Sequence, residues 1–294
     1  MKKRHIVTQL GMTLGALVVS FFLFRCGPGL SILNSSTNDN KTTPAVVTVP
    51  PSTISGLRTW LKSDAGVTIA TGVSNWGDQS GIGNDFDQAT AGSQPGFIAS
   101  DSLFNGYSSL SFNGSNSLAR SVGDSTFGTS EATWAVVYSV DSGVTTGTLF
   151  TFGKSGTSTV NNGWRTTTAQ QGGPTNQYIE LFSLTAGSVL VQTPDTIIYT
   201  QNIANIAIGH WSSSTGVLTL YLNGQQATAG GTADMTLGNI YKMTIGDANF
   251  GSNPLIGRIA EVILYNRAIV AAELNQLHCY LSVRYNIAVS NASC

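Results

Sequence analysis

Short runs of β-forming residues, each closed by a turn signal, recur along the second half of the chain. Residues 133–140 are β-branched or aromatic at most positions, and 149–152 follows after a glycine-rich turn. Further runs at 178–182, 203–211, 217–222, 241–245 and 258–265 complete the series. The polar stretch 212–216 separates two of them, and Asn223-Gly224 then supplies a strong hairpin turn, because both residues tolerate positive φ. Many short strands with almost no helix predict an all-β, two-sheet antiparallel sandwich or jelly roll. One segment breaks the pattern: Val270, Leu274, Leu277 and Leu281 recur at helical spacing, predicting a short C-terminal helix whose apolar stripe closes the sandwich.

The first fifty residues follow another logic. Lys2-Lys3-Arg4 precede a mostly apolar run over 10–24, so residues 1–25 are expected to form an export signal. Cys26 stands where a bacterial lipoprotein carries its lipid, although Arg25 departs from the small residues usual before it. Lipidation at Cys26, an uncleaved anchor helix and ordinary cleavage all stay open. Residues 26–54, rich in Ser, Thr, Asn and Pro, bury too little apolar area to order themselves and are expected to be a flexible tether. That leaves a domain over 55–287 and a tail over 288–294.

Composition agrees with one large domain behind a leader: 294 residues, 41% hydrophobic and only 10% charged. The net charge of −1 conceals an asymmetry, because Lys2, Lys3, Arg4 and Arg25 sit in a leader without acids. The remainder carries about −5, a poor surface for nucleic acid, and an anionic membrane surface gains little from it. If Cys26 carries lipid, Cys279 and Cys294 remain as an even pair in an oxidising compartment, where a disulfide would pin the tail to the last helix. Zinc is disfavoured, since His5, His210 and His278 show no paired-ligand spacing.

The densest chemistry lies between Trp76 and Asp85, where one aromatic anchor, three glycines and short polar side chains specify a structured loop. Asp78, Asn84 and Asp85 offer hard oxygen ligands for calcium, and Asp247 or Glu261 from later strands would add a carboxylate. The plainer use of these groups is to cap turns. Glu261 alternates with Ile259 and Ile263, which predicts that it shares their apolar face and needs a partner there.

Several segments in order carry a resemblance: Leu57-Arg58-Thr59-Trp60-Leu61 running on to Val67, the Trp76–Asp85 loop, Gln94-Pro95, Leu110-Ser111-Phe112-Asn113-Gly114-Ser115, Tyr221-Leu222-Asn223-Gly224, and Gly257-Arg258-Ile259-Ala260-Glu261 running on to Arg267. Together with Ala272-Glu273-Leu274, Tyr280-Leu281 and Arg284-Tyr285, they span residues 55–287. In this the chain resembles the laminin-G-like jelly-roll family of the concanavalin A-like lectin and glucanase superfamily. The resemblance implies a secreted binding module, sometimes with calcium at the sandwich rim. Trp164, Trp211 and Tyr178 are the candidates to stack on sugar rings, with a place in the core as the alternative for each. Trp60, Trp76 and Trp134 are assigned to the core.

Because that superfamily includes glucanases, catalysis has to be weighed. A retaining glycosidase needs two carboxyl groups about 5 Å apart. None of Glu131, Glu180, Glu261 and Glu273 has a second acid two or four residues away on its strand. No nucleophile elbow, His-Glu-x-x-His helix or phosphate loop occurs either. The expectation is a non-catalytic, exported domain that binds glycan or extracellular-matrix protein, or alternatively a structural or protein-interaction subunit of the cell envelope.

Overall fold

A computed structural model describes residues 48–120, 131–154, 162–170, 177–185, 188–194, 196–212, 214–215, 217–230, 242–247 and 253–294. Among these residues seventeen strands and one α-helix follow in order. The first seven strands are short: β1 (Leu57–Lys62), β2 (Val67–Ile69), β3 (Val73–Trp76), β4 (Phe86–Asp87), β5 (Gly96–Ile98), β6 (Ser109–Asn113) and β7 (Leu118–Arg120). Longer strands come next, namely β8 (Ala132–Val140), β9 (Gly147–Lys154), β10 (Asn162–Gln170), β11 (Gln177–Thr185), β12 (Ser188–Gln192) and β13 (Asn205–Ser212). The series ends with β14 (Val217–Leu222), β15 (Gln225–Gly230), β16 (Lys242–Ile245), β17 (Ile256–Tyr265) and helix α1 (Ala271–Tyr285).

All strand pairs are antiparallel, in two sheets. One runs β15-β14-β13-β8-β17-β6-β5, with β1 also on β17, and the other runs β12-β11-β10-β9-β16-β7-β4-β3-β2. The fold is the expected all-β sandwich with a C-terminal helix. Asn223 (φ 46°) and Gly224 (φ 81°) make the β14–β15 turn that their sequence specifies.

The eight-stranded sheet is buried on both faces, which explains why every residue of β8 is buried. Trp134, Val136, Tyr138 and Val140 face the space between the sheets with Trp76, Phe86, Phe150 and Met243. Ala135 and Val137 point the other way, into a second core with Ile208, Ile263, Leu277 and Leu281. Trp134 also bridges the sandwich, donating its indole N–H to Thr166 on β10 at 2.8 Å. Gly209, opposite it on β13, leaves the room this ring needs, since a Cβ there would stand 2.2 Å from the indole.

Helix α1 therefore does not close the gap between the sheets; it lies on the outside of the eight-stranded one. The expected stripe is also shifted. Val270 is the N-cap and 59% exposed, while Leu277, Tyr280, Leu281 and Tyr285 are buried. Glu273 reaches back to accept from the Val270 amide at 3.0 Å and pairs with Arg267 at 2.6 Å, satisfying a helix start with no polar N-cap.

Both ends of the described chain are more firmly held than their composition suggests. Residues expected to belong to the tether form a 3₁₀ turn at Pro51–Thr53, where Pro51 and Ile54 are buried and Pro51 O accepts from Tyr265 Oη at 3.0 Å. In the tail, Ser290 N donates to Asn223 O at 2.8 Å, and a disulfide joins Cys279 to Cys294 with their Cα atoms 5.3 Å apart. The export signal, Cys26 and most of the tether lie outside the described residues.

Candidate functional site

The Trp76–Asp85 loop turns its carboxylates inward onto its own backbone. Asp78 Oδ1 accepts from the amides of Trp60 at 2.8 Å and Ser80 at 2.9 Å, and its Oδ2 accepts from the Asn84 amide at 2.9 Å and the Ser80 hydroxyl at 2.6 Å. Asp85 Oδ1 accepts from the Asp78 amide at 2.8 Å, and Asn84 Nδ2 donates to Arg58 O at 2.7 Å. Asp78 is thus a hub holding β1, the loop and its exit together, and Trp76 is the fully buried anchor. These bonds fill the lone pairs of Asp78, the first of the candidate calcium ligands.

Glu261, a candidate to add a carboxylate to that loop, is bonded elsewhere. It is fully buried on the helix side of β17. It accepts from Trp60 Nε1 at 2.5 Å, Tyr280 Oη at 3.0 Å and Tyr285 Oη at 2.6 Å, and Arg284 Nε lies 3.2 Å away. Arg284 continues to Asp64 at 2.6 Å and covers the Tyr107 ring at 4.0 Å. Burial raises the Glu261 carboxyl above its ordinary range, against the Tyr285 bond, the Arg284 charge and the bonds from Trp60 and Tyr280. Burial and the Glu261 charge likewise push the Tyr285 hydroxyl up. The partner that the apolar setting demands is therefore a polar knot that fastens helix to sheet.

The expected alternation fails at one point. The pairing of β17 with β8 shifts between Ile259 and Glu261, leaving Ala260 as an extra residue, a β-bulge. Glu261 shares its face with Ile263 and Tyr265, whereas Ile259 lies with Val262 and Leu264 between the sheets.

The aromatic candidates divide. Trp211 is 2% exposed and packed between the sheets with Leu218 and Leu220, so its ring is not available to a sugar. Trp164 stands on β10 and Tyr178 on β11, but their side chains lie outside the described residues. Trp76 and Trp134 are core, while Trp60 is half-buried beside the second core. Among the described residues, no three His, Cys, Asp or Glu side chains gather as a metal site.

Asp247 does something different from all of these. It lines an open cleft of about 180 Å³ with Gly114, Ser115, Asn116, Ser117 and Pro254. The cleft sits where the chain crosses between sheets twice, from β6 to β7 and from β16 to β17. Backbone bonds join the crossings: Gly114 N to Leu255 O at 2.9 Å, Leu255 N to Gly246 O at 2.9 Å, and Gly246 N to Leu149 O at 3.1 Å. Gly246 has φ 83°, and a Cβ there would stand 2.4 Å from the Phe112 ring, so this approach to Asp247 requires glycine. On the facing wall, Asn116 Oδ1 accepts from the Asn113 amide at 3.0 Å, and its Nδ2 donates to Gln94 O at 2.9 Å. Both walls carry residues that stand out in the sequence, Asn113-Gly114-Ser115 within a segment of the family resemblance and Asp247 as a candidate metal ligand. Nothing in the pattern showed that they meet.

No protein-family model matches the chain, and no curated protein does. Solved structures do share its fold. Domain 4 of AbnA, a GH43 extracellular arabinanase from Geobacillus stearothermophilus, in complex with arabinotriose, has a TM-score of 0.55 at 15% identity, covering 78% of this chain and 98% of that domain. Trypanosoma rangeli sialidase in complex with sialic acid has a TM-score of 0.54 at 16% identity over 78% of this chain, which spans 33% of the sialidase. A CBM40 of Ruminococcus gnavus IT-sialidase, bound to sialyllactose, has a TM-score of 0.42 at 14% identity, covering 55% of this chain and 84% of that one. At 15–16% identity the likeness to the arabinanase domain and the T. rangeli sialidase is one of fold alone, a two-sheet antiparallel sandwich.

Proposed function

We propose that this protein is a non-catalytic glycan-binding domain that works after export. The observation that carries the reading is the fold shared along nearly the whole length of an arabinanase domain that holds arabinotriose. Chemistry supports it: the two described acids most prominent in the structure, Asp78 and Glu261, are committed to amides, hydroxyls and a guanidinium. Neither is placed as half of an acid–nucleophile pair. The Cys279–Cys294 disulfide suits an oxidising compartment, and the charged, then apolar, leader with Cys26 supports export and attachment to a membrane. A glycan array probed with the full chain tests the reading. Retention on a defined set of oligosaccharides, without their hydrolysis, is expected; a blank array, or release of reducing sugar, overturns it.

A further inference from the structure

We propose that the rim cleft between Ser115 and Asp247 is a sugar subsite, and that it selects neutral glycans over sialylated or otherwise acidic ones. The inference rests on the glycan-binding reading and names its site and charge preference. Three observations carry it.

The first is the state of Asp247. Asp78, Asp85, Glu261 and Glu273 all accept hydrogen bonds, but among the described residues no group bonds the Asp247 side chain, which lines the cleft next to the backbone bonds of Gly246. An ionised carboxylate only accepts hydrogen bonds, and it bonds well to paired hydroxyl donors such as neighbouring hydroxyls of a sugar ring. The second is the lining, which brings Ser115 and Ser117 into one cleft with that carboxylate, while Pro254 and the 40% exposed Ile256 lie against Gly114. A sugar has the same division, hydroxyls at its edge and C–H groups on its face. The third is size and charge. At about 180 Å³ the cleft is below the ~300–1,000 Å³ typical of drug-sized ligands, nearer to one sugar ring, and none of its described lining residues is basic. An acidic sugar would set its carboxylate against Asp247 with no cation among those residues to offset the repulsion.

The test uses the full chain and three immobilised probes: arabinotriose, lactose, and sialyllactose, which adds an acidic sugar to lactose. Asp247→Asn removes the charge at constant shape, and Ser115→Trp fills the cleft from an exposed position. Both variants are checked for an unchanged melting temperature. Retention of a neutral probe, at least tenfold stronger than of sialyllactose and weakened at least tenfold by both substitutions, is expected. Neutral probes retained equally by wild type and both variants would overturn the subsite and leave the glycan reading standing. Sialyllactose held more tightly than lactose would overturn the charge preference. If none of the three probes is retained the proposal fails, and the glycan reading fails with it only if the wider array is also blank.

Discussion

Glu261 and Asp247 are both acids carried by the same end of the sequence, yet their surroundings are opposite. Around Glu261, three hydrogen bonds and an ion pair converge on a carboxylate with no exposure to water. Around Asp247, the preceding Gly246 is held by backbone bonds and no described residue bonds the side chain, which lines a cleft. Burying an acid is costly unless its partners are complete, so the knot at Glu261 holds the fold together. An acid with firm backbone support and an unspent side chain contributes little to stability and is free to meet a ligand.

The contrast is broken most directly at its heavier end. Glu261→Ala strands two tyrosine hydroxyls and an indole N–H and leaves Arg284 with Asp64 as its carboxylate partner, and is expected to cost about 3–5 kcal/mol in urea denaturation. A loss below about 1 kcal/mol would mean that the knot is not holding helix α1. Next in size, Cys294→Ser opens a loop of sequence separation 15 and should cost about 3 kcal/mol, read as a lower melting temperature that reductant no longer shifts. Asp78→Ala removes the acceptor of three amides, with an expected cost of about 2 kcal/mol. Since those same bonds fill its lone pairs, chelation of calcium should leave the melting temperature of the wild type unchanged. A drop on chelation would restore the loop as a metal site.

A pH series sharpens the comparison further. Because the folded state holds the Glu261 proton more tightly than the unfolded chain does, its contribution is full below the ordinary pKa of 4.5 and is lost as pH rises through the raised value. Glu273 runs the other way: the Arg267 bond holds its carboxyl low, so its contribution is present at neutral pH and is lost on acidification. Wild type should therefore gain on Glu261→Gln as pH falls from neutral towards 4.5, with Glu273 common to both proteins. A difference in stability independent of pH would contradict the raised value. Smallest of all, Asp247→Asn should change stability by less than about 0.5 kcal/mol, as expected of a partly exposed side chain that no described residue bonds.

The architecture was legible where the chain repeats itself over enough residues to show a period. Strands β8, β14 and β17 and the Asn223-Gly224 turn could be read directly. Strands β2 to β5 and β7 could not, because two to four residues carry no alternation and their pairing is decided by distant partners. The helix was visible, but its stripe could not say which side of the sheet it would cover. Trp211 shows the limit for sites: an aromatic in a strand looks the same whether it faces a partner sheet or a ligand. The cleft was invisible for a simpler reason, since Ser115 and Asp247 are brought together only by two sheet crossings far apart in sequence.

The extra residue at Ala260 has a consequence for how this chain can change in length. Strand β17 is in effect two reading frames spliced together: up to Ile259 one parity points between the sheets, and from Val262 onward the other does. Removing Ala260 would splice the frames at the cost of its small buried side chain and the bond its carbonyl accepts from Ser63 N, leaving each remaining side chain on the side it now occupies. Removing Val262 would instead throw Glu261, or Ile263 and Tyr265 with it, to the wrong side. Within a few positions of one another, the same one-residue deletion is a silent edit at one and a frameshift at the next.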